Sequence, residues 1–425
     1  MRDAPPGKSF QTDSLARLKI SSMKITKVET ITYRNVTQVH AGGIGWTWVR
    51  IHTDTGLCGL GETFPAPDSE KAVILYDYAP VLLGRDPRDI ERLWLDLFTH
   101  IQFRGWAGAE IRALSAIDVA LWDLLGKCAG LPAYILLGGQ CWDSIPVYNT
   151  CYDDRYDFNT QPVELAKELM SVGINAMKIW PFDDVAIRNR GQSIAPAEIA
   201  EGSEPIRKIR EAFGDRMQIM VEFHGFWNLP SAVAIARALE PYNVAWLEEM
   251  LPQDNMAAYE TLARQVKQPL CVSERLLTRW GYRELLDRRA VSIVMPDLAW
   301  SGGLSEARKI ATAAHTMYLP VAYHNCGGPI THFASWHLAM ATPNLKILET
   351  VRRHYTDRFL PIVTASGAPQ NGRLGVPPGP GLGVEFREEF LRSGKVESSF
   401  VDEKTVDHSR VLWGRGEAMS PKGLD

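Results

Sequence analysis

Six reactive side chains recur at nearly one interval along the second half of the chain: Glu222, Glu248, Glu274, Asp297, His324 and Glu349. Subtracting successive numbers gives gaps of 26, 26, 23, 27 and 25 residues. That is the length of one strand, one helix and two short loops. Each of the six ends a short apolar run, as in MQIMVE, VAWLE and PVAYH. A parallel barrel produces such a series, because the carboxyl ends of successive strands meet on one face. Two earlier runs, IPVYN from Ile145 and AMKIWP from Ala176, bring the strands to eight. Between the runs lie segments of helical period, among them VELAKELMSVG, SAVAIARALEPY, MAAYETLARQV, LSEARKIATAAHTM and THFASWHLAMAT. Eight strands with crossover helices close most economically into a barrel. The alternative, an open doubly wound sheet, lacks its G-x-G-x-x-G at the first strand–helix turn.

The first part of the chain has another rhythm. MKITKVETITYR (23–34) alternates and is rich in β-branched residues, and TWVRIHTDTGLCGLGET (47–63) reads as a hairpin turning at Asp54-Thr55-Gly56. Residues 70–103 are mostly helical by pattern. AEIRALSAIDVALWDLLGKCAG (109–130) is a long helix stopped by Gly130 and Pro132. The expected organisation is an extension over residues 1–22, an α+β domain over 23–144, a barrel over 145–360 and a C-terminal segment over 361–425. That last segment contains GVPPGPGLGVEF, too proline-rich for a barrel helix, and is expected to pack back on the first domain. The polar tail from about Ser398 is expected to be partly mobile.

Bulk properties exclude several classes. The 425 residues carry a net charge of -4 with no long basic run, which gives no reason to expect nucleic acid or an anionic membrane as partner. The six cysteines form no C-x-x-C pair, as expected of free thiols in a reducing cytoplasm. No stretch approaches the roughly 20 apolar residues of a membrane span, and the start has no signal-peptide core. A soluble, cytoplasmic protein is the expectation.

Glu222, Glu248 and Glu274 each follow a charge-free run. A carboxylate at the end of a buried strand must be paired or bind metal, since isolated burial costs several kcal/mol. One such glutamate would be read as a salt-bridged strand end; three at a repeated spacing favour a metal site. Three carboxylates without cysteine suit a hard octahedral ion, Mg²⁺ rather than zinc. Asp297 and His324 end neighbouring strands, so the carboxylate can orient the imidazole as a base. His224 stands two residues after Glu222 and would share its side of an extended strand. Lys178, in a run where lysine is scarce, is expected to face the mouth or a carboxylate. Glu349 is expected either to assist as an acid or to pair with an arginine such as Arg275. Substrate contacts are expected from Lys178, Trp180, His40, Asn149 and Arg275.

The order Glu222, Glu248 in WLEEM, Glu274 in SER, Asp297 in PDLAWSGG, His324 and Glu349 resembles the mandelate racemase subgroup of the enolase superfamily. SAIDVALWDLLGKCAGLPAYILLGG (115–139) is similar to the segment that leads into that family's barrel, and the likeness runs over about residues 23–390. The resemblance implies an α+β capping domain over a modified (β/α)7β barrel, with loops near 40–48 and 63–67 closing over the mouth. It implies Mg²⁺ holding a substrate carboxylate while a base removes the α-proton, with Lys178 and Glu349 as helpers. It also implies assembly as a homo-oligomer. Two departures bear on the reaction. Where relatives that racemise carry K-x-K, this chain has Lys178-Ile179-Trp180, so a second base is missing. Glu222 stands where most relatives have aspartate. A histidine two residues after the first ligand, here His224, resembles the sugar-acid dehydratases, in which it protonates the leaving hydroxide. The expected reaction is therefore dehydration of an acid sugar (aldonate or aldarate) to a 2-keto-3-deoxy acid. A cycloisomerase or epimerase of a related carboxylate is the alternative within the family, and a non-catalytic ligand-binding barrel the alternative outside it.

Overall fold

The computed structural model describes residues 22–34, 45–65, 67–103, 105–152 and 154–411. His40 and the expected mouth loop around it lie largely outside these residues, as does the extension over 1–21. Among the described residues, thirteen strands fall into two sheets. The first sheet is antiparallel and contains β1 (Ile25–Arg34), β2 (Gly45–Thr53), β3 (Cys58–Thr63) and β13 (Val396–Asp402), in the order β13-β1-β2-β3. The β2–β3 turn closes with the Thr53 amide donating to the Leu57 carbonyl at 3.1 Å. Gly56 there takes φ +82°, a left-handed conformation that glycine adopts without strain. Helix Ala109–Ala129 covers one face of this sheet and ends at Gly130, which caps it at φ 66°.

The second sheet closes on itself. Its parallel strands are β4 (Ile145–Thr150), β5 (Ala176–Ile179), β6 (Gln218–Glu222), β7 (Trp246–Glu248), β8 (Leu270–Val272), β9 (Ile293–Val294), β10 (Val321–Tyr323) and β11 (Leu345–Thr350). Each pairs with the next, and β11 returns to β4 with Glu349 opposite Tyr148. Helices fill the seven crossovers and none is needed after β11, which gives a (β/α)7β barrel of the α/β class. The eight apolar runs of the sequence are these eight strands.

The C-terminal segment contacts both parts. β12 (Arg373–Leu374) adds antiparallel to β4, and the Ala133 amide donates to the Gly381 carbonyl at 2.9 Å. β13 pairs along β1 from Lys27–Asp402 to Tyr33–Val396. Residues 398–402, expected to belong to a partly mobile tail, instead form most of this edge strand. Ser399 and Val401 share its half-buried face while Ser398 and Phe400 point outward, a two-faced pattern that the polar composition disguised. Residues 412–425 lie outside the described residues.

Two buried acids of the first 130 residues hold the cap to the barrel, and a third ties it to the C-terminal segment. Asp118 accepts from the Ser305 amide at 2.9 Å and the Ser305 hydroxyl at 2.6 Å, at the start of helix Gly303–Thr316. Gly303 lies so close that a Cβ there would meet the Asp118 carboxylate at 2.3 Å. Glu62 accepts from Trp48 Nε1 at 2.7 Å and from the Gly328 and Ile330 amides at 2.5 and 2.9 Å. It thus caps helix Pro329–Met340 from the other domain. Asp123 accepts from the Leu60 and Leu382 amides at 2.9 and 2.8 Å, tying β3 to the C-terminal segment.

Candidate active site

The barrel interior is plugged by a layer that includes Tyr148, Ala176, Met220, Trp246, Met295, Ala322 and Ile347. Strand side chains alternate, so the residue two positions on points the same way, one level higher toward the mouth. Those residues are Thr150, Lys178, Glu222, Glu248, Asp297, His324 and Glu349. The apolar plug therefore fixes the height and direction of every polar group above it. Glu274 joins from three residues past Cys271, which belongs to the same plug.

Glu222, Glu248 and Glu274 are buried, and their nearest carboxylate oxygens all lie within 4.8 Å of one another. Glu222 Oε1 accepts from the amides of Phe223 and His224 at 3.0 and 2.6 Å, while its Oε2 has no hydrogen-bond partner. Trp246 Nε1 donates to Glu248 Oε2 at 2.7 Å. Burial and the neighbouring Glu222 charge push Glu248 well above the usual carboxylate range. Burial would also raise Glu222, but His224, Glu248 and Lys178 outweigh it and hold it low. A buried three-oxygen cluster with one unpartnered oxygen is a cradle that fits a hard divalent cation.

Lys178 sits beside this cluster. Its ammonium bonds Glu248, lies 2.8 Å from Glu349 and 3.6 Å from Glu222. Burial alone would lower its pKa; Glu248 and Glu349 raise it well above the ordinary lysine value. Glu349 is held down at about 2, against its burial, by Lys178 and His324. It also accepts from the Thr150 hydroxyl and from the Asn325 amide at 2.7 Å. The expected pairing of Glu349 with Arg275 is therefore corrected: its cation is Lys178, while Arg275 lies 3.5 Å from Glu274.

Asp297 and His324 form an isolated parallel bridge between strand ends, and Asp297 Oδ2 bonds His324 Nδ1 at 2.7 Å. Asp297 Oδ1 accepts from the Ala299 amide at 2.7 Å, so the carboxylate is fixed at both ends. His324 Nε2 faces Glu274 at 3.3 Å and Glu349 at 3.7 Å. Burial would lower His324, but Cys326, Glu274, Glu349 and the Asp297 bond raise it well above the usual histidine value. Trp300 packs at 5.4 Å from its ring and donates to the Phe64 carbonyl at 3.0 Å, so the cap reaches the imidazole through one tryptophan.

His224 lies beside the same site, but not by the expected strand alternation. β6 ends at Glu222 and His224 takes φ +49°, which turns it out of the strand. Its Nδ1 bonds Asp183 Oδ2 at 2.6 Å. Burial would lower His224; Glu222, Asp183 and Glu274 raise it to about 9. Asp183 was not legible as a partner. An acidic pair opening a short helix is ordinarily read as helix-dipole charge.

Lys178, Glu222, Glu274, His224, His324, Trp180 and Asp183 line one cavity of about 510 Å³, an ordinary size for a small-molecule site. Glu248, Asp297 and Glu349 lie behind that lining. Asn149 does not reach it: its amide donates to Asp154 at 3.0 Å and accepts from the Arg352 amide at 2.8 Å. Arg275 is likewise not among the described residues lining the cavity.

Comparisons with known proteins agree with this architecture. Residues 161–390 match the enolase C-terminal domain-like family, and residues 33–138 match the mandelate racemase / muconate lactonizing enzyme N-terminal domain. The D-xylonate dehydratase of Haloferax volcanii is 32% identical, over 84% of this chain and 87% of its own. The D-galactonate dehydratase of Ralstonia nicotianae is 31% identical, over 87% and 94%. A crystal structure of an enolase of the mandelate racemase subgroup from Agrobacterium tumefaciens superposes with a TM-score of 0.82 at 41% identity. That alignment covers 90% of this chain and 100% of that one. In cap, barrel and sequence alike, this chain belongs to the mandelate racemase / muconate lactonizing enzyme family of the enolase superfamily.

Proposed function

We propose that the chain is a Mg²⁺-dependent acid-sugar dehydratase. The observation that carries this reading is the presence of two different histidine–carboxylate pairs at one cavity, His324–Asp297 and His224–Asp183. A racemase needs a base on each face of one carbon; a dehydratase needs one base and one acid. Trp180, at the position of a second lysine, supplies no base. The names of the 31–32% identical relatives are consistent with the same class.

Glu222, Glu248 and Glu274 would hold the metal, which when bound supplies positive charge against the charge building on the substrate carboxylate. The remaining work falls to side chains of the chain. His324, neutral when it acts, takes the α-proton on Nε2, with Nδ1 held by Asp297; a cation held at Glu274 would offset one of the charges that raise the imidazole. Lys178 and Glu349 neutralise and order the carboxylate end. His224 gives a proton to the departing 3-hydroxyl, which leaves as water as the C–O bond breaks. Forming the enol breaks one C2–H and one C3–O bond and releases one water; the enol then tautomerises, its hydroxyl proton leaving as C3 gains one, to a 2-keto-3-deoxy acid. A cytoplasmic, homo-oligomeric enzyme is proposed with this activity. No helix among the described residues is long and apolar enough to cross a membrane.

The test is a panel of acid sugars with Mg²⁺, read as 2-keto acid formed. Formation of a 2-keto acid that is lost on chelation supports the reading. Isomerised product without water loss would replace it with a cycloisomerase or epimerase.

A further inference from the structure

Resting on that dehydratase reading, we infer that the substrate is a monocarboxylic acid whose far end is uncharged and presents apolar surface, rather than a diacid. The cavity's charges support this. Lys178 is the only lysine or arginine among the described residues lining it, and it is engaged by Glu248 and Glu349. Of the three histidines in the lining, His324 and His224 are committed to Asp297 and Asp183. His354 is held neutral, its pKa pulled to about 3 by burial and by Arg358. Arg358 itself packs at 5.7 Å over the Tyr152 ring and lines a separate cavity. The lining beyond the metal cluster instead carries two acids, Asp183 and Asp184. One carboxylate of a ligand can reach the cation cradle; among the described residues lining the cavity, a second at the far end would find Asp183 and Asp184 and no cation beyond Lys178 and the two histidines that the reaction itself uses.

Apart from Thr150, Tyr152, Asn159 and Cys326, the rest of the wall is hydrocarbon. Phe158 packs edge-on against Trp180 at 4.9 Å, Trp180 against His224 at 5.9 Å, and His224 against Phe226 at 5.9 Å. Ile187 and Phe226, both lining this wall, are 65% and 41% exposed. A ligand chain that lies against them buries carbon, while a charged terminus would have to be desolvated there without a partner.

The experiment is isothermal titration of the His324→Asn protein, loaded with Mg²⁺, with three pairs: D-xylonate and D-xylarate, D-gluconate and D-glucarate, D-galactonate and D-galactarate. Asp297→Asn replaces it if His324→Asn does not fold. In each pair that binds, the monoacid is expected to bind at least about tenfold tighter. 6-Deoxy-D-galactonate is expected to bind at least as tightly as D-galactonate. Ile187→Arg, which places a cation on the exposed wall, is expected to narrow the monoacid preference by about tenfold. Equal or tighter binding of the diacids, or binding of none of the acids, overturns the inference. Binding is read without turnover. A wild-type protein that dehydrates none of these acids would therefore refute the dehydratase reading, while the affinity ratio still decides this one.

Discussion

Asp183 and His224 come from different strand-to-helix connections, yet their side chains meet at 2.6 Å between Oδ2 and Nδ1. Asp183 opens the helix after β5 and His224 follows the end of β6, so the barrel closure itself brings them together. The bond leaves His224 Nε2 as the atom available to a ligand. Replacing Asp183 with Asn is expected to slow dehydration about 10- to 100-fold, because the acid loses its orientation and part of its charge. Exchange of the substrate α-proton, which the dehydratase reading assigns to His324, is expected to persist in D₂O. Proton NMR of the recovered substrate reads both.

Lys178 compensates three buried carboxylates at once. Lys178→Met is expected to destabilise the metal-free protein by about 3–5 kcal/mol, since breaking a buried pair strands its partners. Denaturant unfolding with and without Mg²⁺ measures this. The loss should be smaller with Mg²⁺ bound, because the cation takes over part of the compensation.

Metal removal has a consequence apart from activity. A cation that binds only the folded state stabilises it by about 2.7 kcal/mol at one hundred times its dissociation constant. Titrating Mg²⁺ into chelator-treated protein should therefore raise the melting temperature steadily. Glu222→Gln should weaken that rise, and an unresponsive wild-type protein would argue against the cluster as a cation site.

The cap–barrel contacts carry a pH signature. Burial lifts Glu62 and Asp118 to about 7, against the hydrogen bonds that favour their charged forms. The folded state then binds more protons than the unfolded chain between the ordinary carboxyl values and pH 7, so stability falls as pH rises through that window. For Glu62 the fall is up to about 3 kcal/mol. Glu62→Gln should flatten the decline of melting temperature between pH 5 and 8 in the metal-free protein, at about that scale.

Much of this was legible in the sequence because barrels repeat. One apolar run per strand and one reactive residue per strand end were enough to place Glu222, Glu248, Glu274, Asp297, His324 and Glu349 on a common face. What escaped depends on geometry that spacing does not encode. His224 reaches the site through a left-handed turn rather than through strand alternation. Asn149, read as a substrate contact from its strand-end position, turns sideways to Asp154 and the Arg352 amide. Glu62 and Asp118 carry no sequence mark of capping, since the helices they cap lie in the other domain. Ser399 and Val401 belong to an edge strand whose partner, β1, is far away in the chain.

The most direct test of the dehydratase reading compares His324→Asn with His224→Asn on an acid sugar that the wild-type enzyme dehydrates, in D₂O with Mg²⁺. His324→Asn is expected to show neither α-proton exchange nor 2-keto acid, with loss of activity of about 10²- to 10⁴-fold. His224→Asn is expected to exchange the α-proton without forming 2-keto acid. Formation of 2-keto acid at the wild-type rate by His324→Asn would contradict the assignment of His324 as the base and with it the account of the site.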